Sequence, residues 1–90
     1  MKPNAIRIDP EDNVAMALED IKKGETIDIS EEMSITAITD IPFSHKVAIK
    51  EIRAGSDIVK FGEIIGEAKE DLKVGDWIHT HNIIIDEEQL

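Results

Sequence analysis

Cysteine is absent from the 90-residue chain, which excludes a disulfide framework, a thiol nucleophile and any thiolate-ligated metal or iron–sulfur cluster made by this chain alone. Aromatic residues are almost absent as well. Phe43, Phe61 and Trp77 are the whole set, so the core has to be aliphatic and thin. No apolar run approaches the roughly 20 residues needed to cross a bilayer, and Met1-Lys2-Pro3-Asn4 leads directly into Ile6-Arg7-Ile8 without a signal-peptide core. These features predict a cytoplasmic protein that is neither exported nor embedded in a membrane. Basic residues are scarce, ten against twenty acidic ones, for a formal charge of −10. Such a field repels phosphate backbones and excludes nucleic-acid partners; an anionic substrate would need a metal ion or a basic partner to supply the opposing charge.

What is present suffices for one folded unit. With 41% hydrophobic residues the chain is globular, and its length allows one core but not two. The expectation is a single domain over residues 1–90, with the polar segment 86–90 a mobile tail or the point where a continuing polypeptide or docking subunit joins. A chain this small and acidic is not expected to be a complete enzyme by itself.

Internal repetition organises the rest. A pattern of acid, aliphatic, two residues and then usually Gly, with an aliphatic three positions on, begins at Asp20, Asp40, Glu51 and Asp71. Glu51 lies 31 positions after Asp20, as Asp71 does after Asp40. Sliding 17–47 onto 48–78 superposes Ala17 on Ala48, Ile21 on Ile52, Gly24 on Gly55, Ile27 on Ile58, Glu32 on Glu63, Ala37 on Ala68 and Asp40 on Asp71. A duplicated, pseudo-twofold domain follows.

Each unit reads as strand, tight turn, strand: Gly24, Gly55 and Gly75 supply positive φ, Ser44 takes the place of Gly in the second turn, and β-branched residues follow. Period-two alternation in Val14-Met16-Leu18, Ile27-Ile29, Ile35-Ala37 and Val47-Ile49 predicts half-buried strands. A helix over 11–23, capped by Asp12, is the competing reading. Ser30-Glu31-Glu32 could form one helical turn, and Pro10, Pro42 and Gly66 mark strand edges or bends. The predicted class is all-β, with Asp20, Asp40, Glu51 and Asp71 serving the turns.

One local cluster could carry chemistry: Trp77-Ile78-His79-Thr80-His81-Asn82, which holds two of the three histidines. On a strand, residues two apart share a face, so His79 and His81 could converge on one metal or one carboxylate; equally, they could be surface histidines near a strand end. A zinc site would need a third ligand. His45 is a candidate, but its spacing also suits a solvated turn. Ser30, Ser34, Ser44 and Ser56 lack the glycine context of a nucleophile elbow. Gly62-Glu63-Ile64-Ile65-Gly66 lacks the lysine and following helix of a phosphate cradle, so its glycines read as bend formers.

The four turns resemble the SAF domain, a β-clip module found in type III antifreeze proteins, sialic acid synthases and flagellar P-ring chaperones. Ile6-Arg7-Ile8-Asp9-Pro10, Asp12-Asn13-Val14-Ala15, Ile41-Pro42-Phe43-Ser44-His45-Lys46-Val47-Ala48 and Trp77-Ile78-His79-Thr80-His81-Asn82 more specifically resemble the N-terminal SAF segment of the altronate and galactarate dehydratase family. The likeness covers nearly the whole chain, with Ser44 departing from the family's glycine. It implies an SAF-type β-clip and a small subunit that joins a large one, as in sulfolactate sulfo-lyase.

The implied chemistry is β-elimination of water or sulfite from an anionic hydroxy acid. Removing a proton α to a carboxylate needs a positioned base and a cation to hold the developing charge, and the resemblance implies Fe²⁺ or Mn²⁺ held mainly by the large subunit. On this reading His79 and His81 face the large subunit as catalytic groups or metal ligands, Asn82 binds a hydroxyl of the substrate, and His45 and Lys46 offer a positive spot for it. The alternative is a non-catalytic module that binds a carbohydrate or protein partner. An ice-binding β-clip would require a flat apolar face in place of dense charge.

Overall fold

Alternating β-branched and polar residues favour pleated strands with one side packed, and strands are what the chain forms. The computed structural model describes residues 2–85; the predicted tail 86–90 lies outside the described residues. These contain β1 (Ala5–Ile6), β2 (Val14–Ala17), β3 (Thr26–Ser30), β4 (Met33–Thr36), β5 (Lys46–Ala48), β6 (Asp57–Lys60), β7 (Glu63–Ala68), β8 (Trp77–Ile78) and β9 (Ile83–Ile85). No helix occurs among the described residues: 11–23 holds strand β2, and 31–32 form the β3–β4 turn. None is therefore long and apolar enough to cross a membrane.

The strands form an antiparallel four-stranded sheet in the order β1-β2-β5-β8, a β3-β4 hairpin, and a three-stranded sheet β6-β7-β9. This all-β arrangement of small antiparallel sheets is consistent with the SAF β-clip. Gly66, expected at a bend, is buried inside β7, beside a register shift between Ile58 and Val59.

Hydrogen bonding repeats at the 31-residue offset. Ile21 bridges Ile41, and Ile52 bridges Leu72. Gly24 N–H donates to Ala37 O and Gly55 N–H to Ala68 O, both at 2.8 Å. The Asp40 carboxylate accepts from Lys23 N–H (2.8 Å) and that of Asp71 from Ala54 N–H (2.9 Å), so these acids satisfy turn amides that would otherwise lack partners. The strand register repeats too: Ala15 faces Val47 across β2 and β5, and Lys46 faces Ile78 across β5 and β8. Ser44 takes a φ of 67°, while Gly75, 31 residues later, sits at 91°.

Two small aliphatic cores result. One gathers Ala17, Ile21, Ile27, Ala37, Ile41 and Val47, and the other their counterparts Ala48, Ile52, Ile58, Ala68, Leu72 and Ile78. The four-stranded sheet lies between them, because successive side chains alternate: Ala15, Ala17 and Val47 point into the first core, Val14, Ala48 and Ile78 into the second. Two asparagines latch the hairpins. Asn4 donates to Thr26 O and accepts from Asp28 N–H; Asn13 donates to Asp57 O and accepts from Val59 N–H. Asp12 beside it is 1% exposed, its carboxylate accepting from Gly62 N–H at 2.8 Å and Asp9 N–H at 3.1 Å.

Candidate functional site

The site grows from one register. Lys46 faces Ile78 and Val47 faces Trp77 across the antiparallel β5–β8 pair, so one step beyond the pairing His45 comes opposite His79. Their rings stack with centroids 5.2 Å apart and planes 26° apart. The side chains of His45, Val47, Trp77 and His79 share a sheet face, and Trp77 packs on the first core. Its indole N–H donates to His45 Nδ1 at 3.1 Å, which requires Nδ1 to be unprotonated and places the ring proton of His45 on Nε2.

His79 and His81 do not occupy a continuous strand, as their spacing had suggested. β8 ends at Ile78, and residues 79–82 form a turn closed by Asn82 N–H donating to His79 O at 3.0 Å. Asn82 builds that turn: its side chain accepts from His79 N–H (2.9 Å) and donates to Trp77 O (2.8 Å). It is 2% exposed, so the amide expected to meet a substrate hydroxyl is engaged by the backbone of its own loop. Local hydrogen bonding of this kind competes with strand extension, and here it ends the strand.

The turn still brings the imidazoles together, against Trp77 instead of along a ribbon. His79 stacks on the indole at 5.0 Å, His81 meets it tilted at 5.3 Å, and the two imidazoles are 6.4 Å apart. His79 Nδ1 lies 3.2 Å from Thr80 Oγ1, and Lys69 Nζ donates to Thr80 O at 3.3 Å, placing a cation at the rim. His45 and His79 are half-buried, and His81 is exposed.

All three histidines of the chain thus meet around its single tryptophan. Trp77 belonged to the cluster noticed in the sequence but had no role there; its signal was being the one indole beside a His-x-His pair. Lys46 is elsewhere. Alternation turns its side chain to the opposite face from His45, where it lines a narrow crevice with Ile6, Met16, Lys60 and Phe61. Partial burial, then the charge of Lys60, holds its pKa below the usual lysine value. His45 and Lys46 therefore do not form one positive spot.

The donor set does not make a self-contained metal centre. His45 Nδ1 is occupied by the indole N–H, and among the described residues no three His, Cys, Asp or Glu side chains are arranged to hold a metal ion. The Fe²⁺ or Mn²⁺ suggested by resemblance does not fit these residues alone. What they can do is hydrogen-bond an anion or carry a proton at the imidazole nitrogens, on a platform held rigid by the indole.

Comparison with known proteins identifies the family. The description "Altronate/galactarate dehydratase SAF domain" matches residues 3–86. The chain is 43% identical over 77 residues to altronate dehydratase of Bacillus subtilis, covering 86% of this chain and 15% of the relative. It is 45% identical over 51 residues to the alpha subunit of (2R)-sulfolactate sulfo-lyase of Paracoccus pantotrophus, covering 57% of this chain and 76% of that subunit. Galactarate dehydratase (L-threo-forming) of Escherichia coli is 33% identical over 84 residues, 91% of this chain and 15% of the enzyme. The chain therefore spans about a seventh of the dehydratases that it matches, and most of the sulfo-lyase subunit. On the family match and these identities, the chain belongs to the SAF domains of the altronate/galactarate dehydratase family.

Proposed function

We propose that this chain is the small component of a cytoplasmic lyase that eliminates water or sulfite from a hydroxy acid of the altronate, galactarate or sulfolactate kind, and that it contributes histidines to a site completed by a large component. The observation that carries this reading is the gathering of His45, His79 and His81 around Trp77 at one end of the four-stranded sheet. In an acidic chain, such a group is where an anionic substrate meets side chains able to share a proton.

In the reaction, a base removes the proton α to the carboxylate, and either the β-hydroxyl takes a proton from an acid and leaves as water, or the β-sulfonate leaves as sulfite with the electron pair of the C–S bond. His79 and His81 are assigned to the substrate carboxylate or to that proton. His45, with its proton on Nε2, presents a donor of fixed orientation. Asn82 acts through the backbone, holding the turn that carries both histidines. A metal that stabilised the developing charge would take its ligands mainly from the large component.

The test is to express the chain with the product of the adjacent gene, as candidate large component, and to assay elimination from altronate, galactarate and sulfolactate. The chain alone is expected to be inactive and the pair active, with His79→Ala and His81→Ala each lowering kcat by about a hundredfold, the lower range for a positioned acid or base. Full activity in both variants would remove the histidines from catalysis. It would favour the second reading, a non-catalytic SAF module for a carbohydrate or protein partner, which draws support from the internal engagement of Asn82 and His45 Nδ1.

A further inference from the structure

On the face of the sheet opposite the histidines, the β6–β7 turn is built around a strained aromatic. Phe61 has a φ of 56°, a left-handed conformation that bulky L-residues avoid and that tends to persist where function requires it. The turn is not loose. Gly62, at φ 76°, donates its N–H to the buried Asp12 carboxylate at 2.8 Å, and a Cβ there would come within 2.9 Å of the Asp9 carboxylate. The chain therefore holds Phe61 rigidly outward, and 48% of the residue remains exposed. Lys60 Nζ stands over the ring, 4.8 Å from its centroid.

Lys46 lines the same crevice, with Met16 and with Ile6, which is 39% exposed. Two lysines thus share an apolar surface on a chain of charge −10. The Asp12 carboxylate that also borders the crevice is turned to backbone amides, and among the described residues burial, then the charge of Lys60, lowers the pKa of Lys46. Like charges gathered on an apolar surface favour carboxylates from outside, and a rigid exposed aromatic is the usual anchor of a protein interface.

We infer that Phe61, Lys46 and Lys60 form a second contact face for the large lyase component, which completes the histidine site on one side of the sheet and reaches round to the other, with Phe61 seated in an apolar pocket of that partner and its carboxylates set against the two lysines. The identity of the partner rests on the function proposed above; the character of the face does not. Fixing Phe61 before the encounter lowers the ordering cost of association.

The test compares the wild type with Phe61→Asn and Lys60→Glu for affinity towards the candidate large component, the product of the adjacent gene, by calorimetric titration, and for lyase turnover at saturation. Phe61→Asn is expected to weaken association at least about tenfold. The isolated variant is expected to melt at or above the wild-type temperature, since Asn tolerates the left-handed turn. Loss of affinity with retained or increased stability is a combination that a merely structural Phe61 would not produce. Lys60→Glu is expected to weaken association similarly, and both variants to reach wild-type kcat once saturated. Wild-type affinity in Phe61→Asn, or no complex with the wild-type chain, overturns the inference. An active complex indifferent to Phe61 sinks the docking face alone; a complex that depends on Phe61 but eliminates none of the three substrates sinks the proposed reaction alone.

Discussion

Trp77 donates its indole N–H to Nδ1 of His45 across 3.1 Å, although 32 residues separate the two in the chain. The bond joins β8 to the residue entering β5, and it decides which nitrogen of His45 is available at the surface. Trp77→Phe keeps most of the packing and removes the donor. Nitrogen NMR of the imidazole is expected to show His45 protonated at Nε2 in the wild type and a mixture of tautomers in the variant. Denaturant unfolding should register a loss of about 1 kcal/mol, the usual worth of one such bond. An unchanged tautomer would show that the indole does not orient the ring.

Asn82 closes the turn carrying His79 and His81 through two side-chain bonds to backbone. Asn82→Ala leaves the His79 N–H and the Trp77 carbonyl without those partners, and is expected to cost roughly 2–3 kcal/mol in urea unfolding. In the assembled enzyme it should lower kcat because the imidazoles lose their placement, although Asn82 itself touches no substrate.

The turn residues sort by their surroundings. A Cβ at Gly75 would overlap the carbonyl of Thr36, whereas at Gly24 it would meet nothing within 4 Å. Gly24→Ala then bears only the left-handed penalty of about 1–2 kcal/mol, and Gly75→Ala also forces backbone apart. Ser44, at φ 67°, bears that penalty already; Ser44→Gly should gain about 0.5 kcal/mol once the flexibility of glycine is set against it. Thermal melting is expected to rank Ser44→Gly above wild type, then Gly24→Ala, then Gly75→Ala.

Burial disfavours the charged form of Asp12, but the amides of Gly62, Asp9, Phe61 and Ile8 outweigh it and hold the carboxyl pKa below its ordinary 3.8. A carboxyl with a depressed folded pKa contributes stability that is complete above its unfolded value and is lost as pH falls through the folded one. Asp12→Asn should therefore be less stable than wild type at neutral pH, by roughly 2–4 kcal/mol for charged bonds lost at a buried site. The gap should narrow as pH falls below about 4. Acid unfolding curves of the two proteins check this; a constant gap would show that the charge is not what holds the turn.

Much of this fold was legible because the repeat is written in residues whose roles are local. Gly24 and Gly55 mark turns, Asp40 and Asp71 serve those turns, and Ile27 and Ile58 alternate into the cores. The site was only partly legible. The cluster at 77–82 stands out in composition, but the arrival of His45 depends on which residues of β5 and β8 face each other, and spacing along one strand carries no cross-strand register. The strand assignment for His79 and His81 failed because Asn82 bonds the backbone behind it, a local competition that period-two reasoning cannot see. Adjacency in sequence suggests one positive spot for His45 and Lys46, but alternation within β5 sends the two to opposite faces.

The repeated register carries an asymmetry of its own. Moving His45 and His79 back by one repeat unit leads to Val14 and Ala48, which pair across β2 and β5 and are both buried. The repeat reproduces the location but not its surroundings: the pair on β2 and β5 is walled in by its neighbours, while the pair that reaches the outermost strand is open. Positions 14 and 48 are closed off from solvent in the second core, so the repeated register leaves one accessible end for such a pair among the described residues.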